Sequence, residues 1–358
     1  MRLPAFSGIS TSSAVTLNVR LSINNLPQTL IIMKTILHFI MALVCLSGAS
    51  GQVPSPGGLA HTYSIVARDP DTGEMGVAVQ SHWFSVGSVV SWGEAGVGVV
   101  ATQSFVNPSF GPRGLELLKA GKSPQEAIDE MISADEGRDY RQVAIVDSKG
   151  RSACYTGKLC IKDAGYVTGE NFSVQANMML NDRIWPAMSE AFQNTQGRLA
   201  ERLVAALEAA EIAGGDIRGK QSACLLVVKG ESTGKPWEDR LIDLRVEDSS
   251  DPLKELARLL KVHRAYEHMN NGDLAAEKND MELAGREYSL AAAMFPENAE
   301  MKFWHAVMLA NNEKVENSLP LFKEVFEKDP NWRKLLERLP ASGLVKLPDS
   351  ALKRILDQ

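Results

Sequence analysis

The chain is poor in cysteine, in histidine and in net charge. Its 358 residues hold 4 cysteines and 6 histidines, and the formal net charge is -6. So small a negative charge gives no electrostatic drive toward nucleic acid or an anionic membrane surface, and no nucleic-acid partner is expected. Cysteine and histidine never fall at zinc-ligand spacing. His263 and His268, five positions apart, leave a common helical face, so no metal is expected. The pair Gly96-Val-Gly98 lacks the third glycine and the following helix of a dinucleotide loop, and no phosphate-binding loop is present. No cofactor is expected either. The apolar run at 36–46 is shorter than the ~20 residues of a membrane helix, which argues against a span in the mature protein.

That short run has a different meaning. Met33-Lys34 precedes it and Ser47-Gly-Ala-Ser-Gly51 follows, the order of charge, apolar stretch and small residues found in a secretory signal. Residues 33–51 are therefore expected to be a signal peptide, with the mature protein exported to the periplasm or beyond. Residues 1–32 then read as an over-extended start, with translation beginning at Met33. Residues 52–61, carrying Pro54, Pro56, Gly57 and Gly58, read as a linker. Cys45 follows Leu43-Val44 rather than a small residue, which speaks against lipid attachment. Cys154 and Cys160 bracket Tyr-Thr-Gly-Lys-Leu; in an oxidising compartment they could close a hairpin disulfide or remain two thiols. Cys224, inside the apolar run 223–228, fits a buried inert thiol.

What is present is ordinary globular composition, 44% hydrophobic and 23% charged with 28 Gly and 16 Pro, in a chain long enough for two domains. Strand-like segments stand at 62–67, 76–81, 96–103, 141–147, 151–155, 172–177, 221–228 and 241–246. The turn chemistry of Asp69-Pro-Asp-Thr-Gly73 joins the first two into a hairpin. Helices are expected at 112–120, 123–133, 182–192 and 198–213. The second has a capping box, Ser123 with Glu126 three residues on. Strands, then helices, then strands again favour an α+β domain over residues 62–247 with helices layered on antiparallel sheet.

The remainder, 251–358, is helical. Pro296 and Pro330 stand 34 positions apart, the period of tetratricopeptide helix pairs. Gly272, Ala284, Tyr288 and Ala291 before the first are matched by Ala306, Ser318, Phe322 and Val325 before the second. Residues 251–263 and 331–339 are expected to supply capping helices. Such a tail commonly docks a protein partner.

Three strings carry a family resemblance. They are His61-Thr-Tyr-Ser-Ile-Val-Ala-Arg-Asp69, Gly76-Val-Ala-Val-Gln-Ser81-His-Trp-Phe-Ser-Val-Gly87 and Ala95-Gly-Val-Gly-Val-Val-Ala-Thr-Gln-Ser104. Further matches lie at Asn107-Pro108, Gly111-Pro-Arg-Gly114, Phe172-Ser-Val-Gln-Ala-Asn177 and Gly214-Gly-Asp-Ile-Arg-Gly-Lys-Gln-Ser222. The chain resembles an uncharacterised family of bacterial and archaeal proteins assigned to the N-terminal-nucleophile (Ntn) hydrolase superfamily. The resemblance implies a four-layer αββα sandwich. It also implies a nucleophile freed as the first residue of the mature chain, with its own α-amino group, of pKa ~8, as base.

Thr62, at the head of the first strand, is the residue in that place. It is either the nucleophile or an ordinary β-branched strand starter. The mechanism requires cleavage after His61, a poor residue for signal peptidase. An acidic partner and a lysine, which proteasome-like relatives place beside the nucleophile, are not evident. Ser81 and His82 stand at the end of the second strand, pointing to opposite faces. His82 could serve a nucleophile from another strand or be a surface histidine. Gln103, Asn107, Gln175 and Asn177 could donate to an oxyanion or position a polar substrate, or simply satisfy the fold. Asp216 and Arg218 could clamp a substrate carboxylate or pair with each other. Two functions follow. One is a secreted hydrolase of peptide-like or cell-wall-derived amides using Thr62. The other is a non-catalytic binding protein on the same scaffold. Homo-oligomerisation stays open under both.

Overall fold

Alternation along each strand decides the architecture, because successive side chains leave opposite faces of a sheet. The computed structural model describes residues 59–358. The expected signal, the residues before it, Cys45 and most of the linker lie outside the described residues.

The strands are β1 (Leu59–Ala60), β2 (Thr62–Arg68), β3 (Met75–Ser81), β4 (Ser91–Glu94), β5 (Gly98–Phe105), β6 (Arg141–Asp147), β7 (Ser152–Thr156), β8 (Gly165–Gly169), β9 (Phe172–Ala176), β10 (Ser222–Val228) and β11 (Arg240–Val246). Helices α1 (Gly87–Val90), α2 (Phe110–Lys119), α3 (Pro124–Ser133), α4 (Ile184–Asn194), α5 (Leu199–Ile212) and α6 (Pro236–Asp239) lie among them. The C-terminal region is all helix: α7 (Pro252–Glu277), α8 (Met281–Met294), α9 (Ala299–Asn311), α10 (Val315–Lys328), α11 (Asn331–Ser342) and α12 (Asp349–Leu356). The protein is α+β, with two antiparallel sheets followed by a helical region.

One sheet runs β1-β5-β6-β7, with β4 also on β5; the other runs β11-β10-β3-β2-β9-β8. Three apolar clusters follow from strand parity. Val66, Val77 and Val79 of the second sheet meet Val99, Ala101, Ala144 and Val146 of the first. Their neighbours in sequence turn the other way. Ile65, Val174 and Leu225 pack with Met188, Leu203 and Leu207 of α4 and α5. Val100, Val143 and Ile145 pack with Leu115, Ile128 and Met131 of α2 and α3. Helices therefore cover the outer face of each sheet, and the inner faces meet.

Local chemistry accounts for several boundaries. Ser123 Oγ accepts from Glu126 N–H at 3.3 Å and Glu126 Oε2 accepts from Ser123 N–H at 2.7 Å, the expected capping box of α3. The two glycines of 96–98 do different work. Gly96, at φ +74, makes the turn between β4 and β5, whereas a Cβ on Gly98 would lie 2.7 Å from the Val146 carbonyl oxygen. The strand expected from 96 thus begins at Gly98.

In the C-terminal region, Leu253, Leu256 and Leu260 of α7 belong to the cluster beneath α4 and α5. Ala265, Met269 and Ala275 of the same helix belong to a separate cluster with Ala284, Tyr288 and Ala291 of α8. The expected capping helix at 251–263 is thus the first half of one 26-residue helix. Arg264 ties α7 to α5 through both carboxylate oxygens of Glu201, at 2.8 and 3.0 Å. A Cβ on Gly272 would lie 2.8 Å from the Tyr288 ring, so glycine lets α7 and α8 approach. Ala306, Ser318, Phe322 and Val325 are buried at the next hairpin.

Candidate functional site

The inner layer between the sheets is apolar at one end and polar at the other. Along β2, Val66 lies in the apolar part, while Ser64 and Thr62, on the same face, lead toward the polar end. Ser81 on β3, Gln103 on β5, Gln142 on β6, and Gln175 on β9 follow the same parity. With Asn177 just past β9, all are fully buried. An amide left unpaired at this depth costs about 1–3 kcal/mol.

They pair with one another. Gln175 Nε2 donates to Ser64 Oγ at 2.6 Å, and Ser64 Oγ donates to Gln103 Oε1 at 2.5 Å. Gln103 Nε2 donates to Gln142 Oε1 at 2.7 Å, an oxygen that also accepts from Asn177 Nδ2 at 2.9 Å. Gln142 Nε2 turns to Thr156 Oγ1 at 2.8 Å and the Ala176 carbonyl at 3.0 Å. Gln103 Nε2 also reaches the Thr62 carbonyl at 3.2 Å. The network crosses from one sheet to the other and ends on the backbone of Thr62.

His61 and Thr62 stand where it ends, both fully buried. Thr62 Oγ1 donates to the Ala60 carbonyl at 2.7 Å. The His61 carbonyl oxygen, the one just before Thr62, accepts from Ser81 Oγ at 2.6 Å and from Arg218 Nη2 at 2.8 Å. Arg218 is itself fixed by Asp216, Nε to Oδ1 at 3.0 Å and Nη2 to Oδ2 at 2.6 Å, a bidentate pair. The Asp216 side chain is fully buried.

The His61 ring is held edge-on to Phe105, with ring centroids 5.5 Å apart, and its Nδ1 lies 2.8 Å from Asn177 Oδ1. Asn177 uses its NH2 group on Gln142, so its oxygen faces His61 and Nδ1 carries the hydrogen. Burial pulls the His61 pKa below the usual histidine value, keeping the ring neutral. Two non-glycine residues with left-handed backbone flank the site, Ser104 at φ 72 and Met178 at φ 60. Such conformations cost energy and recur near functional sites.

The sequence candidates are partly brought together. Thr62, Ser81, Gln103, Gln175, Asn177 and Arg218 converge, with Asp216 behind Arg218. Asn107 does not join them: its Oδ1 accepts from Ser109 N–H and Oγ, at 3.2 and 2.7 Å, shaping the turn before α2. His82 is exposed, and its backbone N–H rather than its ring faces Asp216, at 3.5 Å. Asp216 and Arg218 satisfy each other instead of forming an open clamp. Cys154 and Cys160 are free thiols rather than a disulfide, each with its pKa raised by burial. Cys224 is a buried free thiol pushed up to about 12 by desolvation. Gln142 and Ser64 were missed, though each is a polar residue at an inward position of an otherwise apolar strand.

The family model described as "Family of unknown function (DUF1028)" matches residues 62–256, more than half of the chain and every strand from β2 to β11. The chain belongs to the DUF1028 family. The crystal structure of a DUF1028 protein from Silicibacter pomeroyi is similar, with 32% identity, 56% of this chain and 88% of that chain covered, and a TM-score of 0.52. No curated protein matches. The family supplies no reaction, so the chemistry has to come from the polar end of the sandwich. Among the described residues no helix is long and apolar enough to cross a membrane.

Proposed function

We propose that this DUF1028 protein is an amide hydrolase of the N-terminal-nucleophile type, with Thr62 as nucleophile once the His61–Thr62 bond is broken. One observation carries it: the carbonyl oxygen preceding Thr62 already holds two donors, Ser81 Oγ and Arg218 Nη2. Donors placed on a carbonyl oxygen stabilise the negative charge that develops when a nucleophile attacks its carbon. The helices over the outer sheet faces support an αββα sandwich of the Ntn kind.

In maturation, Thr62 Oγ adds to the His61 carbonyl carbon. The C–N bond breaks, and the proton lost by the hydroxyl ends on the new Thr62 amine. Water then hydrolyses the ester, leaving a His61 carboxylate and a free Thr62. In turnover the α-amine, of pKa ~8, takes the hydroxyl proton as Thr62 attacks a substrate amide. Arg218 and Ser81 then serve the substrate carbonyl. The missing lysine is answered by Arg218, a cation whose partner Asp216 fixes its direction. The substrate class is a small peptide-like or cell-wall-derived amide, reached after export. The export itself rests on the signal pattern of residues 33–51. The helical region is a tetratricopeptide-like pair that docks a protein partner.

A second reading, a binding protein on this scaffold, is favoured by the complete burial of Thr62 and His61 in the intact chain. Mass spectrometry of native material separates the two. A chain beginning at Thr62, with amide hydrolysis abolished in Thr62→Ala, supports the enzyme. Peptide still attached ahead of Thr62 in active material overturns it.

A further inference from the structure

At the other end of β2 a second cluster has unspent hydrogen-bonding capacity. Thr62 and Arg68 are separated by six steps along the strand, about 20 Å. Arg68 lines a cleft of about 510 Å³ between the β8–β9 hairpin and helices α4 and α5. Arg202 of α5 lines the same cleft, its guanidinium 4.4 Å from the Phe192 ring centroid.

Each guanidinium carries five N–H donors. Arg202 has one carboxylate neighbour, Asp69 Oδ2 at 3.5 Å, a long contact. Asp69 Oδ1 is already taken by the Asp71 and Thr72 backbone N–H groups, at 2.9 and 3.0 Å. Arg68 makes one side-chain bond, Nη1 to Asn171 Oδ1 at 3.3 Å. The Nε atoms of both arginines are buried without a partner. Asp69 is the one carboxylate paired with either arginine, and Glu170, the acid that lines the cleft, is exposed to solvent.

The walls are preorganised. Asn171, in a left-handed conformation at φ 66, is pinned by Arg68 N–H to its carbonyl at 2.8 Å and by its own N–H to the Gly150 carbonyl at 2.9 Å. Phe172 packs on Phe192 with centroids 5.2 Å apart, both buried behind the Arg202 guanidinium, while Pro70 and Val167 give the cleft its apolar lining. A guanidinium stacked on an aromatic ring, with its edge free, suits a planar or tetrahedral anion.

We infer that this cleft binds a small molecule carrying a carboxylate or phosphate on an apolar body. Arg202 and Arg68 hold the anion, and Pro70 and Val167 contact the remainder. The site is distinct from the Thr62 end and does not depend on hydrolysis there.

Calorimetric titration of the full chain with phenyl phosphate, benzoate and neutral benzyl alcohol tests it. At least one anion is expected to bind, with benzyl alcohol not binding; the better anion identifies the head group. Arg202→Gln and Arg68→Gln are each expected to weaken binding about tenfold or more, while Arg113→Gln, far out on α2, leaves it unchanged. Hydrogen exchange of the unaltered chain, which needs no variant to fold, should show protection at 167–172 and 189–202 when the anion is present. Binding by neither anion, undiminished binding in both arginine variants, or protection confined elsewhere overturns the assignment.

Discussion

Arg218 reaches back 157 residues to donate its Nη2 hydrogen to the carbonyl oxygen of His61, at 2.8 Å. The bond is aimed at the peptide that joins His61 to Thr62, and Asp216 keeps the guanidinium from swinging away. The proposed maturation depends on this charged donor.

Arg218→Met is expected to slow the appearance of chain beginning at Thr62 by roughly 100- to 1000-fold, the usual cost of losing one oxyanion donor. Thr62→Ser should still mature and Thr62→Ala should not. Intact-mass time courses on purified precursor measure all three. Maturation of Arg218→Met at the unaltered rate would show that the contact is structural only.

The boundary between sandwich and tail gives a second prediction. Leu253, Leu256 and Leu260 are buried against the sheet-2 helices. Each contributes about 1.5–3 kcal/mol by burial, so a chain ending at residue 250 loses several kcal/mol of a total that is typically 5–15. A chain ending at His263 keeps all three. Urea melts should give the longer fragment the clearly higher midpoint, and matching midpoints would contradict the packing.

Gln142 is the hub of the amide network. Gln142→Leu leaves Gln103 Nε2 and Asn177 Nδ2 without their shared acceptor, although each keeps a longer contact to the Thr62 carbonyl. The expected loss is about 2–4 kcal/mol, from two weakened buried donors at about 1–3 each. Equilibrium denaturation measures it. A change below 1 kcal/mol would mean that the donors find other partners on their own.

Acid should weaken the fold through its histidines. His61, His263 and His305 are each held below the ordinary histidine value, first of all by burial. Unfolding raises their pKa values back toward ~6.5, so the unfolded chain takes up protons first as pH falls. Their stabilising contribution is present above ~6.5 and is lost progressively below it. Glu74 and Glu208, raised by burial, act in the opposite sense nearer the carboxylate range. Urea midpoints should therefore fall between pH 7.5 and 5.5, and His305→Gln should flatten that slope. An unchanged slope in His305→Gln removes that histidine from the account.

Much of this was legible in the sequence because alternation and turn chemistry are local. The hairpin of β2 and β3, the capping box at Ser123 and the central strands all follow from adjacent residues. β4 and β8 were not legible. Ser91–Glu94 and Gly165–Gly169 are short, glycine-bearing segments made into strands by their partners rather than by their own pattern. The site was half visible. Gln103, Gln175 and Asn177 stand out as amides in or at the end of strands, whereas the role of Gln142 depends on which strands face each other. The Asp216–Arg218 pair was seen, but its target was not, because nothing local connects residue 218 to residue 61. Asn107 misled because an amide that shapes a turn has the same composition as one that lines a site.

Helix α7 gives both halves of the protein one shared axle. Its first turns are set in the sandwich and its later turns in the helical region, with no swivel between. Each residue added or removed between Leu260 and Ala265 would turn everything downstream by about 100° and shift it by about 1.5 Å. The count of residues in that one helix therefore sets the compass bearing of the helical region on the sandwich.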